Sequence, residues 1–306
     1  MQSYLDMLEY VKENGKWENN RTGIRRLSIH GYMFTHYMKN GFPLLTTKKM
    51  SLKNIAVELE FFIKGLSDKR WLQERGCHIW DSWGNPQNVN KKYNNFININ
   101  GFKKYTDEIL KNVKKDIQRE ETDLGSIYGV QWRYWKDYYF NNTSYEIDVD
   151  IIDQLKNAIE IIKKDPTNTQ QVISAWNPSD IPNMALAPCH FAFQLLSDGE
   201  NLDLIWFQRS CDLFLGIPYN IASYALLLML IAKEVNLKPN KLIGSFSDLH
   251  LYENQLNQTN EQLYRIPYDL PNVNVLNFKS IYDWEYKDLE LTNYKYYLSI
   301  KADVAV

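Results

Sequence analysis

Apolar residues recur three or four positions apart at the start of the chain, at Leu5, Leu8 and Val11, which predicts a short amphipathic helix over residues 3–14 before Gly15. A polar loop with three arginines follows, Asn19 to Arg26, and then a strand from Leu27 to Met33. Ile55, Val57, Leu59, Phe62 and Ile63 predict a buried helix over Ser51 to Lys64 that also carries Glu58 and Glu60. A second helix is expected from Lys69 to Arg75, leading to Trp80 and Trp83 on either side of Asp81. Residues 84–122 change in tone: they open Asn- and Lys-rich, and then Ile109, Val113 and Ile117 form a narrow stripe that predicts a helix on the body's surface. The next helix is read from Asp148 to Lys164, stopped by Asp165-Pro166, with a turn feeding a strand towards Asn177.

Two strands follow, Cys189 to Leu196 and Leu202 to Arg209, joined by the turn Ser197 to Asn201. Ile221 to Val235 is apolar on all sides and reads as a core helix. Strand Leu242 to Phe246 delivers Asp248, His250 and Tyr252 to its end; His250 and Tyr252, two apart on extended chain, share a face. Periodicity alone therefore gives mixed α and β.

Composition narrows the class. The 306 residues, 44% of them apolar, with nine Trp and twenty-one Tyr, suffice for a large core and aromatic-lined pockets. Lys and Arg number 35 against 37 Asp and Glu, and neither sign gathers into a tail, which argues against a nucleic-acid binder. Three cysteines without a C-x-x-C pair suit a reducing compartment. No uninterrupted apolar run reaches the ~18 residues of a membrane span, and the N-terminus lacks a signal-peptide pattern, so the expected location is the cytoplasm. Neither a dinucleotide-binding glycine motif nor a P-loop nor a Cys/His set with metal spacing is present, so no metal is expected.

The chemistry concentrates between Ala187 and Tyr224. Cys189 offers a nucleophilic thiol beside His190, and a cation such as Arg209 raises the thiolate fraction at neutral pH. Arg209 with Ser210 supplies a donor fork and a hydroxyl suited to a phosphate monoester. Asn220 carries both a donor and an acceptor, the pattern that pairs with an O=C–N–H edge.

The whole string, Pro188-Cys189-His190, then Gln208 to Tyr224 (QRSCDLFLGIPYNIASY), then Asp248-Leu249-His250-Leu251-Tyr252, resembles the thymidylate synthase family. So do Arg21-Thr22-Gly23, Phe42 to Lys49, Ile79-Trp80-Asp81-x-Trp83, Gly125 to Arg133 (GSIYGVQWR), Ser174 to Asn177 and the terminal Val304-Ala305-Val306. The resemblance implies an α+β fold, a large mixed β-sheet with flanking helices, in one catalytic domain spanning 1–306 with a variable insertion at about 84–122. Two copies are expected to pack sheet to sheet as a homodimer, with no membrane and no obligatory nucleic-acid partner.

It also implies the reaction: reductive methylation of dUMP to dTMP by 5,10-methylenetetrahydrofolate, a co-substrate that leaves as dihydrofolate. The residues implied as catalytic are Cys189, Glu58, Arg209, Asn220, Tyr128 and Asp212. Arg21, Arg209, Ser210, Asn220, His250, Tyr252, Gln208 and His190 are expected at the nucleotide. Lys48, Ile79, Trp80, Trp83, Leu186, Asp212, Leu215, Gly216, Tyr219 and Ala305 are expected at the folate. Two departures stand out. Thr169-Gln170 occupies the place of two adjacent arginines that cross to the partner's phosphate, which suggests that Arg25 or Arg26 supplies the charge instead. Glu60 and Leu249 lean towards pyrimidine-nucleotide hydroxymethylases, in which water captures the methylene, and Asp303 stands where the family usually has proline.

Overall fold

The computed structural model describes residues 1–20, 22–83, 122–141 and 146–303; Arg21, the helix read within 84–121 and the terminal segment with Ala305 lie outside the described residues. Two compact units are present. One comprises Met1–Leu59, Asn157–Ile173 and Cys189–Val306, the other Glu60–Lys156 and Ser174–Pro188.

The first unit holds a seven-stranded mixed sheet among the described residues. In chain order its strands are β1 (Lys16–Glu18), β2 (Arg26–Tyr37), β5 (Val172–Ser174), β6 (His190–Ser197), β7 (Asn201–Gln208), β8 (Cys211–Asp212) and β9 (Lys238–Tyr252). They lie in the order β1-β2-β9-β7-β6-β5, with β8 beside β9. β9 pairs antiparallel with β2 and parallel with β7, which is what makes the sheet mixed. β2 and β9 run well beyond the segments expected from the apolar pattern, so Asp248, His250 and Tyr252 sit within β9 rather than after it.

β7 alternates cleanly. Leu202, Leu204, Trp206 and Gln208 are buried, while Asp203, Ile205 and Phe207 keep part of their surface on the other face. Helix Gly216–Glu234 packs on the inner side of β7 and β9 and buries residues around its whole circumference. It is long and apolar enough to cross a membrane, yet 67% of that stretch is buried inside the protein, as befits a core helix. It starts earlier than its apolar run suggests, because Pro218 falls in its first turn, where a missing N–H costs nothing. The N-terminal helix Gln2–Asn14 buries Tyr4, Leu5, Met7, Leu8 and Val11 against β2 and β9.

In the second unit, β3 (Trp135–Asn141) and β4 (Glu146–Ile152) form an antiparallel hairpin. This corrects the helix read from Asp148: the helix is Gln154–Lys164, and the segment before it is strand. The residues carry the reason, since Ile147, Val149 and Ile151 are β-branched and alternate with acidic residues. Asp153 then accepts the N–H of Lys156 at 3.0 Å and opens the helix. The helix expected over Lys69 to Arg75 is reduced to one turn, Arg70–Gln73.

Candidate active site

The end of the β6–β7 ladder sets the chemistry. His190 stands opposite Gln208, and one rung further the Arg209 N–H donates to the Cys189 carbonyl at 2.9 Å. The thiol-bearing and guanidinium-bearing residues thus close adjacent strands. Cys77 and Cys211 are buried, while Cys189 is partly exposed. Burial, reinforced by the charges of Asp248 and Cys189, pushes the Cys211 thiol far up and leaves it protonated. Cys189 is the reactive candidate by position and access.

Behind it lies a directed chain of hydrogen bonds. The Trp206 indole N–H donates to Gln208 Oε1 at 3.1 Å, and Gln208 Nε2 donates to the Ser210 carbonyl at 3.0 Å and to Asn220 Oδ1 at 3.1 Å. Asn220 itself is half-buried on the helix that begins at Gly216.

A second corner gathers titratable groups. His190 Nδ1 and the Tyr224 hydroxyl are 2.9 Å apart, and burial lowers the imidazole to about 3, so the ring is neutral throughout the working range. Burial, and after it the carboxylate of Glu58, raises the Tyr224 phenol. Glu58 therefore bears on the same hydroxyl that holds His190. Glu60, two residues along the helix Leu52–Ile63, lies about 200° round its axis from Glu58 and pairs with Lys64 at 2.9 Å.

Asp212 is a structural hub. Its Oδ1 accepts the N–H groups of Phe214 (3.1 Å) and Leu215 (2.9 Å), and its Oδ2 accepts from Gln255 at 3.3 Å, which shapes the turn that opens the helix at Gly216. Lys48 braces the same turn. It is buried, donates to the Phe214 carbonyl at 2.5 Å, lies 3.7 Å from the centroid of the Phe214 ring, and is lowered by burial to about 7. Tyr219 follows on the same helix and is half-buried.

Along β9, His250 and Tyr252 do share a face, their rings 5.0 Å apart and edge-on. Asp248 accepts from Ser28 Oγ at 2.7 Å and pairs with Arg26 at 2.7 Å. Burial works to raise this carboxylate, but the hydrogen bonds from His250 and Ser28 and the Arg26 charge hold it near 2. Arg26 also pairs with Glu18 at 3.1 Å, so it is committed to two carboxylates; of the two arginines expected to serve an anion, Arg25 is the one not so clamped, lying 4.6 Å over the Trp17 ring and 3.8 Å from Glu253. Glu18, His30 and Asp248 have the spacing of metal ligands. The Arg26 guanidinium already bridges two of the three and accounts for the cluster.

The second unit carries the aromatic residues. Tyr128, buried, lies 4.8 Å from Phe62, and Trp80 meets both edge-on at 6.1 and 6.4 Å. Tyr128 has φ 26° and ψ −91°, a strained backbone of the kind that costs about 1–3 kcal/mol and is kept only where packing over-determines it. Ile79 is exposed, and Trp83 and Leu186 are half-buried. Lys69 holds the carbonyls of Asp81 and Trp83 at 3.2 and 3.3 Å, while both Asp81 carboxylate oxygens are taken by Gln73 and His78.

Sequence reading passed over Trp206 and gave Tyr224 no role. Both had a signal: Trp206 is two before Gln208 on a strand, and Tyr224 is four after Asn220 on a helix, so each shares a face with a candidate residue.

The thymidylate synthase family model matches residues 2–306. Among curated proteins, the chain is 41% identical to "Thymidylate synthase" of Mycoplasma genitalium over 309 aligned positions, covering 100% of both chains. It is 40% identical to "Thymidylate synthase" of Mycoplasma pneumoniae over 306 positions, again covering 100% of both.

Proposed function

The chain belongs to the thymidylate synthase family, and from that membership we propose how its own residues carry the reaction. The enzyme is a methyltransferase that converts dUMP to dTMP, with 5,10-methylenetetrahydrofolate as co-substrate. The observation that supports the residue assignment is the Arg209–Cys189 backbone rung, because it brings the arginine and the partly exposed cysteine to facing positions at the end of the ladder.

In this reading the Cys189 thiolate, favoured by Arg209, adds to carbon 6 of the uracil, and carbon 5 gains the electron density to attack the folate methylene. Asn220 presents Nδ2–H to O4 and accepts N3–H on Oδ1. Glu58 moves protons on the O4 side through water, with His190 and Tyr224 holding the neighbouring corner. Tyr128 assists loss of the carbon-5 proton. Loss of that proton expels the folate nitrogen from the methylene, leaving an exocyclic methylene and tetrahydrofolate. Hydride from that tetrahydrofolate then reduces the methylene to methyl, carbon 5 regains its double bond to carbon 6 as the Cys189 thiolate leaves, and the folate departs as dihydrofolate. Keeping water from that methylene favours hydride, and Trp80, Leu186 and the terminal residues around Ala305 are assigned that work.

The nucleotide phosphate is assigned to Arg209, Ser210, Arg21 and Arg25, and the deoxyribose hydroxyl to His250 and Tyr252. Gln208 orients Asn220 from behind. The folate is assigned to Ile79, Trp80, Trp83, Asp212, Leu215, Gly216 and Tyr219, with Lys48 acting through the Phe214 turn. Aromatic faces and a carboxylate are the donor set a flat, amide-bearing heterocycle needs. Residues 1–306 are taken as one catalytic domain, because the family match runs over residues 2–306.

The second copy of a homodimer is placed on the outer face of the sheet. Register puts Thr35, Ile243, Ile205 and Gln194 in one row and Met33, Ser245, Phe207 and Ala192 in the next, a partly apolar face with Met33 61% exposed. The cytoplasm, where free cysteines stay reduced, is the assigned compartment. Mass analysis of an acid-quenched reaction tests the assignment: a nucleotide adduct on the Cys189 peptide is expected, and an adduct elsewhere overturns it.

A further inference from the structure

We propose that Trp206 is the positioning residue that fixes which way the Asn220 amide faces, and so makes the site read uracil rather than cytosine. The inference rests on the reading of Asn220 as the base-reading residue.

An amide read by itself has no fixed polarity, because its oxygen and nitrogen ends are nearly the same shape. Here both ends of the chain are fixed by chemistry. An indole N–H only donates, so the Gln208 atom 3.1 Å from it is the oxygen. A backbone carbonyl only accepts, so the Gln208 atom 3.0 Å from Ser210 O is the nitrogen. These two constraints agree, and the same nitrogen then reaches Asn220 at 3.1 Å, which obliges Asn220 to turn its oxygen inward. The Asn220 nitrogen is left as the outward donor, with the second lone pair of its oxygen as acceptor. That is the complement of O4 and N3–H of uracil; cytosine offers a donor and an acceptor in the reverse order.

Trp206 is built to hold this position. It has no exposed surface, so it meets no substrate itself. Its ring stacks on Tyr224 at 5.2 Å and 11°, and Phe34 and Phe246 close on it edge-on at 6.1 and 5.4 Å. The residue paired with it on β9 is Gly244, where a Cβ would come within 2.7 Å of the indole and 2.5 Å of the Phe246 ring. Without the indole donor, the Ser210 carbonyl is left to set which way Gln208 faces, and a Gln208 that turns over takes Asn220 with it.

The test compares dUMP and dCMP binding by calorimetry without folate, beside turnover, for the wild type, Trp206→Phe, Gln208→Met and the double variant. Trp206→Phe keeps an aromatic ring but removes the donor. The preference for dUMP is expected to narrow about tenfold, roughly the effect of one misdirected buried hydrogen bond. The double variant is expected to narrow no further than Gln208→Met, since the indole acts only through Gln208. A wild-type preference retained in Trp206→Phe, with only melting temperature lowered, overturns the inference and leaves Asn220 in its role. A wild type that binds both nucleotides alike overturns the Asn220 reading itself. If Trp206→Phe fails to fold, Gln208→Met decides: an unchanged preference there breaks the chain at its middle and sinks the proposal.

Discussion

The backbone N–H of Arg209 and the carbonyl of Cys189 meet at 2.9 Å, the last rung of an antiparallel ladder that ends where β6 and β7 emerge from the core. Such a contact fixes where each residue leaves the sheet, more firmly than an ion pair between two long side chains would. Its consequence is that the position of Cys189, the proposed nucleophile, survives loss of its sulfur. Cys189→Ser is therefore expected to fold with an unchanged circular dichroism spectrum while turnover falls below about a thousandth of wild type, because an alkoxide is not available at neutral pH without a dedicated base. Activity within tenfold of wild type would remove Cys189 from its role.

Glu58 and Glu60 separate cleanly on their helix, and the difference is measurable. Glu58→Gln keeps the size but cannot exchange protons, and a fall in kcat of about 10²–10⁴ is expected with the nucleotide affinity nearly preserved. Glu60 is paired with Lys64, so Glu60→Gln is expected to lower stability slightly and leave the product as dTMP with equimolar dihydrofolate. Hydroxymethyl product from Glu60→Gln would show that this residue governs the fate of the methylene.

Lys48 predicts a pH dependence of stability. Its folded pKa, about 7, lies below the ordinary 10.5, so between these values the unfolded chain holds a proton that the folded one has released. Stability then rises with pH across that window and is lowest, for this group, below 7, where the ammonium is charged and buried. The interval corresponds to at most roughly 5 kcal/mol. The difference in unfolding free energy between wild type and Lys48→Met, measured from pH 6 to 10, should change in wild type's favour as pH rises; a flat difference rejects the buried-ammonium cost.

Much of this arrangement was legible from residues alone, for identifiable reasons. β6 and β7 announced themselves because alternation and the turn at Asp198-Gly199 agree, and Cys189, Arg209 and Asn220 stood out as candidates because a thiol, a guanidinium and an amide are unusual company in an apolar segment. Lys64 already stood one helical turn from Glu60, but spacing could not tell that pair from a solvent-exposed one. The strand Glu146–Ile152 was hidden because Ile147 and Ile151 also fit a helical stripe, and only pairing with β3 decides between the periods. Trp206 was hidden because a tryptophan on a strand reads as core, and burial says nothing about where its one N–H points. Arg26 looked free to serve a phosphate until Glu18 and Asp248, 222 residues beyond it, were seen on either side.

Gly129 marks a place where backbone meets backbone. A Cβ there would lie 2.1 Å from the Phe62 carbonyl oxygen and 2.4 Å from its Cα, and neither can swing aside as a side chain could. The residue before it is Tyr128, already held at φ 26°, so the turn has no slack to absorb a shift. Gly129→Ala is expected to cost on the order of 3 kcal/mol and to disturb the Tyr128 ring against Phe62, lowering turnover as well as melting temperature. Gly199 is the control that separates crowding from backbone preference. It has φ 97° in the β6–β7 turn, with nothing within 4 Å of the place an added methyl would take, so Gly199→Ala should cost only about 1 kcal/mol, from its dihedral alone, and leave activity intact. Equal losses in the two variants would mean that the close approach at Phe62 relaxes easily, and that the strain at Tyr128 is not held in place by Gly129.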